Sequence, residues 1–145
     1  MSTAFEHQQT SGPETHLTQA PGLLEGFVPF PVDRAEKYRR AGFWRGRPLD
    51  SILRDGAANW PQRTAVVDAD RSYTFAEMDA VADRIAAALA GRGVVAGDRM
   101  LLQFPNTCQF AVALFGLLRA GVVPVMCLPG HRGAEMGHFL SLIHI

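Results

Sequence analysis

Apolar residues recur at every third or fourth position in two long stretches of the chain, which is the spacing of an amphipathic helix. The first stretch follows Thr74 and Glu77, whose spacing predicts a capping box at the start of a helix. The second follows Pro105-Asn106 and ends at Gly121, a residue type that commonly closes a helix. The first predicted helix has apolar residues at spacings of three and four, namely Met78, Val81, Ile85, Ala88 and Leu89. The second is predicted to face inward with Phe110, Ala113, Leu114, Leu117 and Leu118.

Two shorter helices are predicted nearer the N-terminus. One covers residues 33–40 and is charged along most of its length. The other covers residues 49–59 and is stopped by Trp60-Pro61. The residues that this second helix would place on one side are Ile52, Leu53 and Ala57.

Short apolar runs between turn residues predict the strands. Thr64 to Asp68 is the first, and the turn after it leads back into Ser72-Tyr73. The run from Met100 to Phe104 is nearly continuous, which is typical of a strand buried on both faces. Val122 to Cys127 is the last strand, and Pro124 favours an edge position or a strand start because it lacks a backbone N–H.

The order of these elements predicts the fold class. A strand, a helix and a second strand within about 30 residues form a βαβ unit, which is expected to be parallel and right-handed. The chain is therefore predicted to be an α/β protein with a mainly parallel sheet, carried by residues 49–141. Residues 1–22 are polar and aperiodic, which predicts a disordered tail. Residues 23–48 combine aromatic residues with prolines, which predicts an extended arm, with its one short helix, packed across a larger body.

Charge and composition exclude several classes of protein. Fourteen basic residues balance fourteen acidic ones, so no basic field favours nucleic acid or an anionic membrane as a partner. No uncharged apolar run reaches the roughly 20 residues that span a bilayer, and the N-terminus has no secretory signal pattern. The two cysteines, Cys108 and Cys127, have no metal-ligand spacing and suit a reducing compartment. The expected location is the cytoplasm.

Several motifs in order carry a resemblance to a known family. Tyr73 to Met78, Phe104-Pro105-Asn106 with Phe110, and Leu118 to Pro124 resemble the early motifs of the adenylate-forming (AMP-dependent) synthetase and ligase superfamily. The stretches GFVPFPVDRAEKYRRAGFWRGRPL and LPGHRGAE are similar to its aryl-acid activating branch, most of all to the 2,3-dihydroxybenzoate–AMP ligases. The resemblance covers about residues 26–140.

The resemblance implies both a fold and a reaction. The chain would be the incomplete N-terminal part of the large domain of an aryl-acid ligase of siderophore biosynthesis. Such an enzyme uses ATP with Mg²⁺ to convert an aryl acid into an aryl-adenylate, and then passes the acyl group to the phosphopantetheine thiol of an aryl carrier protein. The Gly/Ser/Thr-rich phosphate loop and the other reactive motifs lie downstream in the family. We therefore assign no catalytic, cofactor-binding or metal-binding residue to this chain and expect it to be inactive alone. Residues 142–145 depart from the family pattern and are expected to be a non-native truncated end.

A few polar residues could still have chemical roles. His131 and Arg132 could bind a phosphate or act in proton transfer, but a loop that starts the next helix, with Arg132 paired to a carboxylate, explains them better. Glu135 and His138 have a di-metal spacing without the second copy that such a site needs. A second group is expected to be structural: Asp68 and Asp70 as turn residues, Cys108 and Cys127 as core residues.

Three alternatives remain open from the sequence. The chain could come from an acyl- or aryl-CoA synthetase of the same superfamily, or it could be a non-catalytic binding or interaction module. A nucleotide-binding α/β module is a weaker alternative. It would need a glycine-rich loop between a strand and a helix, and here that junction reads Phe104-Pro105-Asn106-Thr107.

Overall fold

The structure, a computed structural model, describes residues 28–142. The chain divides into two compact units, with the division between Arg45 and Gly46. The disordered tail predicted for residues 1–22, the start of the predicted arm and residues 143–145 lie outside the described residues.

The described residues of the first unit, 28–45, contain one helix, α1 (Val32–Arg40), which follows Pro31. Asp33 lies in its first turn and basic residues lie in its last turn, so both ends suit the helix dipole. After the helix the chain folds back, and the ring of Trp44 packs 5.0 Å from that of Phe30 and 5.4 Å from that of Tyr38. The short charged helix predicted for residues 33–40 is confirmed. The packing of the predicted arm against a larger body stays a prediction.

The second unit contains four helices and four strands within its described residues. The helices are α2 (Ser51–Asn59), α3 (Phe75–Ala90), α4 (Cys108–Arg119) and α5 (Gly133–Leu142). The strands are β1 (Thr64–Val67), β2 (Ser72–Thr74), β3 (Arg99–Gln103) and β4 (Val123–Cys127). Each element was predicted within a few residues of its observed bounds, apart from α5, for which only the start of a helix was expected.

Local hydrogen bonds explain where α3 begins and where α4 ends. The Thr74 hydroxyl accepts the Glu77 N–H at 3.2 Å, and the Glu77 carboxylate accepts the Thr74 N–H at 2.8 Å, which confirms the capping box. At the end of α4, Gly121 has a φ of 74°, which favours glycine. Its N–H donates to Leu118 O, and the next N–H, of Val122, donates to Leu117 O, which is the Schellman pattern.

The strands form two separate pairs. β1 and β2 are an antiparallel hairpin. β3 and β4 are parallel, in register from Arg99 opposite Val123 to Gln103 opposite Cys127, and α4 connects them. The predicted βαβ unit is therefore present, and α/β is the correct fold class. The carboxyl ends of β3 and β4 lie at one edge, which is where open α/β sheets place their ligands.

Two clusters form the hydrophobic core. One joins α2, α3 and α4 through Leu53, Met78, Ala82 and Val112. The other joins β3, α4 and the residue before β4 through Leu102, Leu117 and Val122. Buried residues of α3 and α4 pack together in the first cluster, so the contact between these two helices forms a large part of the core of the second unit.

The predicted burial of β3 was wrong, and the side of α2 predicted to carry Ile52 and Leu53 is not uniformly buried. Ile52 is 61% exposed while its neighbour Leu53 is 2% exposed, because adjacent helical residues point about 100° apart. The run from Met100 to Phe104 is not buried on both faces. Of these residues only Leu102 is buried, at 4% exposure, and Phe104 lies beyond the strand at 38% exposure. Within residues 28–142, β3 has one partner strand and packs its buried side chain with residues of α4, so its other positions stay partly accessible.

Candidate functional site

The candidate site is the loop that follows β4, at the edge where β3 and β4 both end. Gln103 is the last residue of β3, and its side-chain amide reaches this loop. Nε2 of Gln103 donates to Leu128 O at 2.9 Å and to His131 O at 3.0 Å. The loop is therefore held from the neighbouring strand as well as by its own turn.

His131 is tied into the same loop through its backbone and its ring. Its N–H donates to Leu128 O at 3.0 Å, which closes a four-residue turn. Its Nδ1 accepts the Leu128 N–H at 3.1 Å, and its ring centroid lies 5.0 Å from that of Phe139. These contacts give His131 a fixed position and leave Nε2 as its remaining hydrogen-bonding atom.

Arg132 begins the next helix, as expected, but not through the ion pair that was predicted. Its backbone N–H donates to Glu135 Oε2 at 3.0 Å. Backbone N–H groups of Glu135 itself and of Arg132 hold the pKa of the Glu135 carboxyl below its usual value. The salt bridges found among residues 28–142 do not include the Arg132 guanidinium, which is exposed. The carboxylate that was expected to pair with the side chain instead accepts the backbone N–H at the start of α5.

Metal binding at Glu135 and His138 finds no support in the described part of the chain. No group of three or more His, Cys, Asp or Glu residues there is arranged to hold a metal ion. Glu135 is already engaged at the start of α5.

Asp68 caps the turn between β1 and β2, as expected, and also contacts the start of α4. One oxygen accepts the N–H groups of Asp70 and Arg71, each at 2.9 Å, and the other accepts the Cys108 N–H at 2.7 Å. These bonds, with that of Cys108 the strongest, hold the pKa of the Asp68 carboxyl well below its usual range. Because a carboxylate occupies the N-terminus of α4, this helix end does not fit an ATP phosphate.

Both cysteines have the properties of core residues. The Cys108 side chain is fully buried and its Sγ lies 3.4 Å from Arg71 O. Burial raises the pKa of the Cys108 thiol, and the neighbouring Asp68 carboxylate raises it further. Cys127 is also buried, and both thiols are free. A buried thiol with a raised pKa is a poor nucleophile, so the core interpretation is confirmed for Cys108.

Sequence reasoning missed one polar cluster in the second unit. The guanidinium of Arg119 at the end of α4 contacts Asp50 before α2, and Asp79 and Asp83 on α3. The one available signal was a single arginine at the end of an otherwise apolar helix, together with aspartates four residues apart on α3. This cluster joins three helices and has no open position for a ligand, because the Arg119 side chain is 3% exposed.

No helix among the described residues is long and apolar enough to cross a membrane.

A solved structure and the sequences of two known proteins match most of this chain. The apo structure of Mycobacterium smegmatis MbtA matches with a TM-score of 0.79 and 60% sequence identity, covering 82% of this chain and 23% of that one. The salicyl-AMP ligase / salicyl-S-ArCP synthetase of Mycobacterium tuberculosis is 63% identical over 126 residues, which are 83% of this chain and 22% of the relative. The 2,3-dihydroxybenzoate-AMP ligase of Bacillus subtilis is 38% identical over 117 residues, 81% of this chain and 22% of the relative.

The matches agree on the family and on how much of it is present. The chain spans less than a quarter of the length of each of these relatives. The AMP-binding enzyme family matches residues 53–144, which include all the elements from β1 to α5. The chain therefore belongs to the family of AMP-binding enzymes.

Proposed function

We propose that this chain is the N-terminal part of an aryl-acid AMP ligase. In the proposed reaction, a carboxylate oxygen of the acid attacks the α-phosphorus of ATP. A new O–P bond forms, and the bond to pyrophosphate breaks. A thiol sulfur then attacks the acyl carbonyl, the thioester forms and AMP leaves. The observation that supports this most is the 63% identity to a salicyl-AMP ligase across 83% of the chain.

The proposed substrate is a 2-hydroxybenzoate. Salicylate is favoured by the name of the relative with 63% identity, and 2,3-dihydroxybenzoate, the acid expected from the sequence, by that of a relative with 38% identity. Both acids have a hydroxyl group ortho to the carboxylate. The proposed acceptor is the phosphopantetheine thiol of an aryl carrier protein of siderophore biosynthesis. We place the reaction in the cytoplasm, where ATP is available and where thiols such as those of Cys108 and Cys127 stay reduced.

The proposed contribution of this chain is scaffold rather than reactive groups. The N-terminus of α4 is occupied by the Asp68 carboxylate, and the Cys108 thiol is buried. Neither can bind the phosphates or attack a carbonyl. The 145-residue chain is therefore expected to be inactive alone, and ATP, Mg²⁺ and the acid would be bound by the longer protein.

A chimera tests this proposal. The segment of the M. tuberculosis salicyl-AMP ligase that aligns with this chain would be replaced by this chain's residues, and ATP–pyrophosphate exchange would be measured with salicylate, 2,3-dihydroxybenzoate and benzoate. Exchange with a 2-hydroxybenzoate, and none with the 145-residue chain alone, is the expected result. A folded chimera without exchange for any acid would reject the proposed function.

The same chimera distinguishes the acceptors. After adenylation, transfer to an aryl carrier protein is compared with transfer to coenzyme A. Efficient transfer to coenzyme A and none to the carrier protein would favour the aryl-CoA synthetase alternative. Exchange by the 145-residue chain itself would show that it contains reactive groups, contrary to the scaffold role.

A further inference from the structure

The side chain of Gln103 connects two segments that are 25 to 28 residues apart in the sequence. It donates to the carbonyls of Leu128 and His131, and a third carbonyl, that of Pro129, lies 3.5 Å away. These three carbonyls belong to the loop after β4, whereas Gln103 belongs to β3. One side-chain amide therefore fixes the backbone of this loop from the adjacent strand.

The fixed loop determines the tautomer of His131. The Leu128 N–H donates to Nδ1 of His131, so Nδ1 has no proton. A neutral imidazole then has its proton on Nε2, which makes Nε2 a hydrogen-bond donor. Loss of the Gln103 contacts would allow the turn from Leu128 to His131 to change conformation. The hydrogen bond from the Leu128 N–H to Nδ1, which favours this tautomer, would then be lost.

The residue beside this donor is a cation. Arg132 is exposed, and its guanidinium forms no salt bridge among the described residues. The nearest acidic group on α5 is Glu135, whose carboxylate accepts the Arg132 backbone N–H. A neutral N–H donor on His131 and a cation on the residue that follows it in the sequence suit an anionic oxygen, as found in a carboxylate or a phosphate.

We propose that Gln103 is a positioning residue for the ligase reaction: it locks the loop from Leu128 to Arg132 so that His131 offers its Nε2–H group to an anionic oxygen of a reactant. This inference rests on the proposed function, because the aryl acid and ATP are the two reactants with such an oxygen. Gln103 itself bonds to the backbone of the loop and acts through it.

The effect of Gln103 on the conformation of the loop is tested in the 145-residue chain without any assay of activity. Gln103→Glu keeps the size of the side chain but replaces its donor with a carboxylate that faces carbonyl oxygens. Gln62→Glu is the matched control, because Gln62 is exposed and forms no side-chain hydrogen bond among the described residues. We expect amide exchange at His131 to accelerate about tenfold or more in Gln103→Glu relative to Gln62→Glu. A long-range ¹H–¹⁵N spectrum would show the Nε2–H tautomer in the wild type and in the control, and its loss in Gln103→Glu.

The role in the reaction is tested by steady-state kinetics of the same variants in the chimera. We expect Gln103→Glu to raise KM for one of the two anionic reactants about tenfold, with melting temperature close to that of the control. A rise for the acid identifies the carboxylate as the ligand of the loop, and a rise for ATP identifies the phosphates. His131→Asn separates the two parts of the proposal. Its side-chain oxygen can replace Nδ1 as acceptor, so slow exchange should persist while the same KM rises.

The outcomes that contradict the proposal differ from those that contradict the proposed function. Equal rates of amide exchange in Gln103→Glu and Gln62→Glu would contradict the proposal that Gln103 holds the loop in place. Unchanged KM values for both reactants, or a loss of kcat matched by a loss of stability, would overturn the positioning role. A folded wild-type chimera with no ATP–pyrophosphate exchange would reject the proposed function and the positioning role together. The amide exchange data would still show whether Gln103 holds the loop in place.

Discussion

Arg119 and Asp50 form an ion pair inside the second unit, with Arg119 Nη2 3.0 Å from Asp50 Oδ1 and side chains that are 3% and 5% exposed. Burial alone would raise the pKa of the Asp50 carboxyl, but hydrogen bonds from Arg119 and Arg54 outweigh it and lower the pKa. The guanidinium also contacts Asp79 and Asp83 on α3. The pair therefore links α4 to the start of α2 and to α3 through groups that are fully hydrogen-bonded.

Removal of the arginine is expected to destabilise the protein strongly. Arg119→Met would leave Asp50 buried with only Arg54 as a partner, and breaking a buried pair in this way costs about 3–5 kcal/mol of unfolding free energy. Urea denaturation followed by circular dichroism measures the change. The control is Arg40→Met, which removes an exposed pair with Glu36 and should cost less than about 1 kcal/mol. Similar losses in the two variants would contradict the structural role of the buried pair.

Asp68 should make stability depend on pH in the acid range. Its pKa in the folded protein lies below the ordinary value of 3.8, so the ionised form is favoured by folding. The stabilisation is therefore fully present above about pH 5. It is lost as the pH falls below the ordinary pKa of the carboxyl toward its lower pKa in the folded protein. Urea midpoints between pH 7 and pH 2.5 should fall more steeply for the wild type than for Asp68→Asn, which cannot ionise.

The control for this pH dependence is Asp70→Asn, at the neighbouring position of the same turn. The Asp70 carboxylate accepts no hydrogen bond among the described residues. Its variant should therefore follow the wild-type curve. Parallel curves for the wild type and Asp68→Asn would show that the Asp68 contacts with Asp70, Arg71 and Cys108 do not stabilise the fold.

The capping box of α3 is expected to contribute measurably to stability. Thr74→Ala removes the oxygen that accepts the Glu77 N–H, and loss of an N-cap of this kind costs about 1 kcal/mol. Thr74→Ser keeps the hydroxyl and should cost clearly less. Thermal and urea unfolding of both variants measure the difference, and equal stability of Thr74→Ala and the wild type would contradict the prediction.

Features that depend on neighbouring residues could be predicted from the sequence. The Thr74–Glu77 box and the glycine end of α4 each involve residues at most a few positions apart, so residue type alone determines their geometry. The alternation of β3, α4 and β4 was predictable for the same reason, because each element has its own spacing of apolar residues.

Features that depend on packing could not be predicted. Asp50 and Arg119 are 69 residues apart, and their contact depends on how α2 and α4 each pack against α3. The contact of Gln103 with His131 across 28 residues requires the parallel register of β3 and β4. The burial of Leu53 rather than Ile52 likewise depends on which face of α2 meets α3.

Helices α3 and α4 are in close contact at Gly116. A Cβ atom at this position would lie 2.5 Å from Cγ2 and 2.7 Å from Cβ of Ile85, so the two helices could not keep their present distance. We expect Gly116→Ala to destabilise the protein by about 1–3 kcal/mol, although alanine favours helices more than glycine does. The control is Gly137→Ala in α5, where nothing lies within 4 Å and where stability should stay equal or rise.

A double-mutant cycle shows whether the Gly116→Ala effect comes from this contact. Ile85→Gly removes all the side-chain atoms that the added methyl group would meet, so Gly116→Ala should cost at least about 1 kcal/mol less in that background than in the wild type. Urea unfolding of the four proteins in the cycle measures the coupling. If the losses of stability from the two substitutions are additive, the effect of Gly116→Ala does not come from a clash with Ile85. The packing of α3 on α4 would then not depend on glycine at position 116.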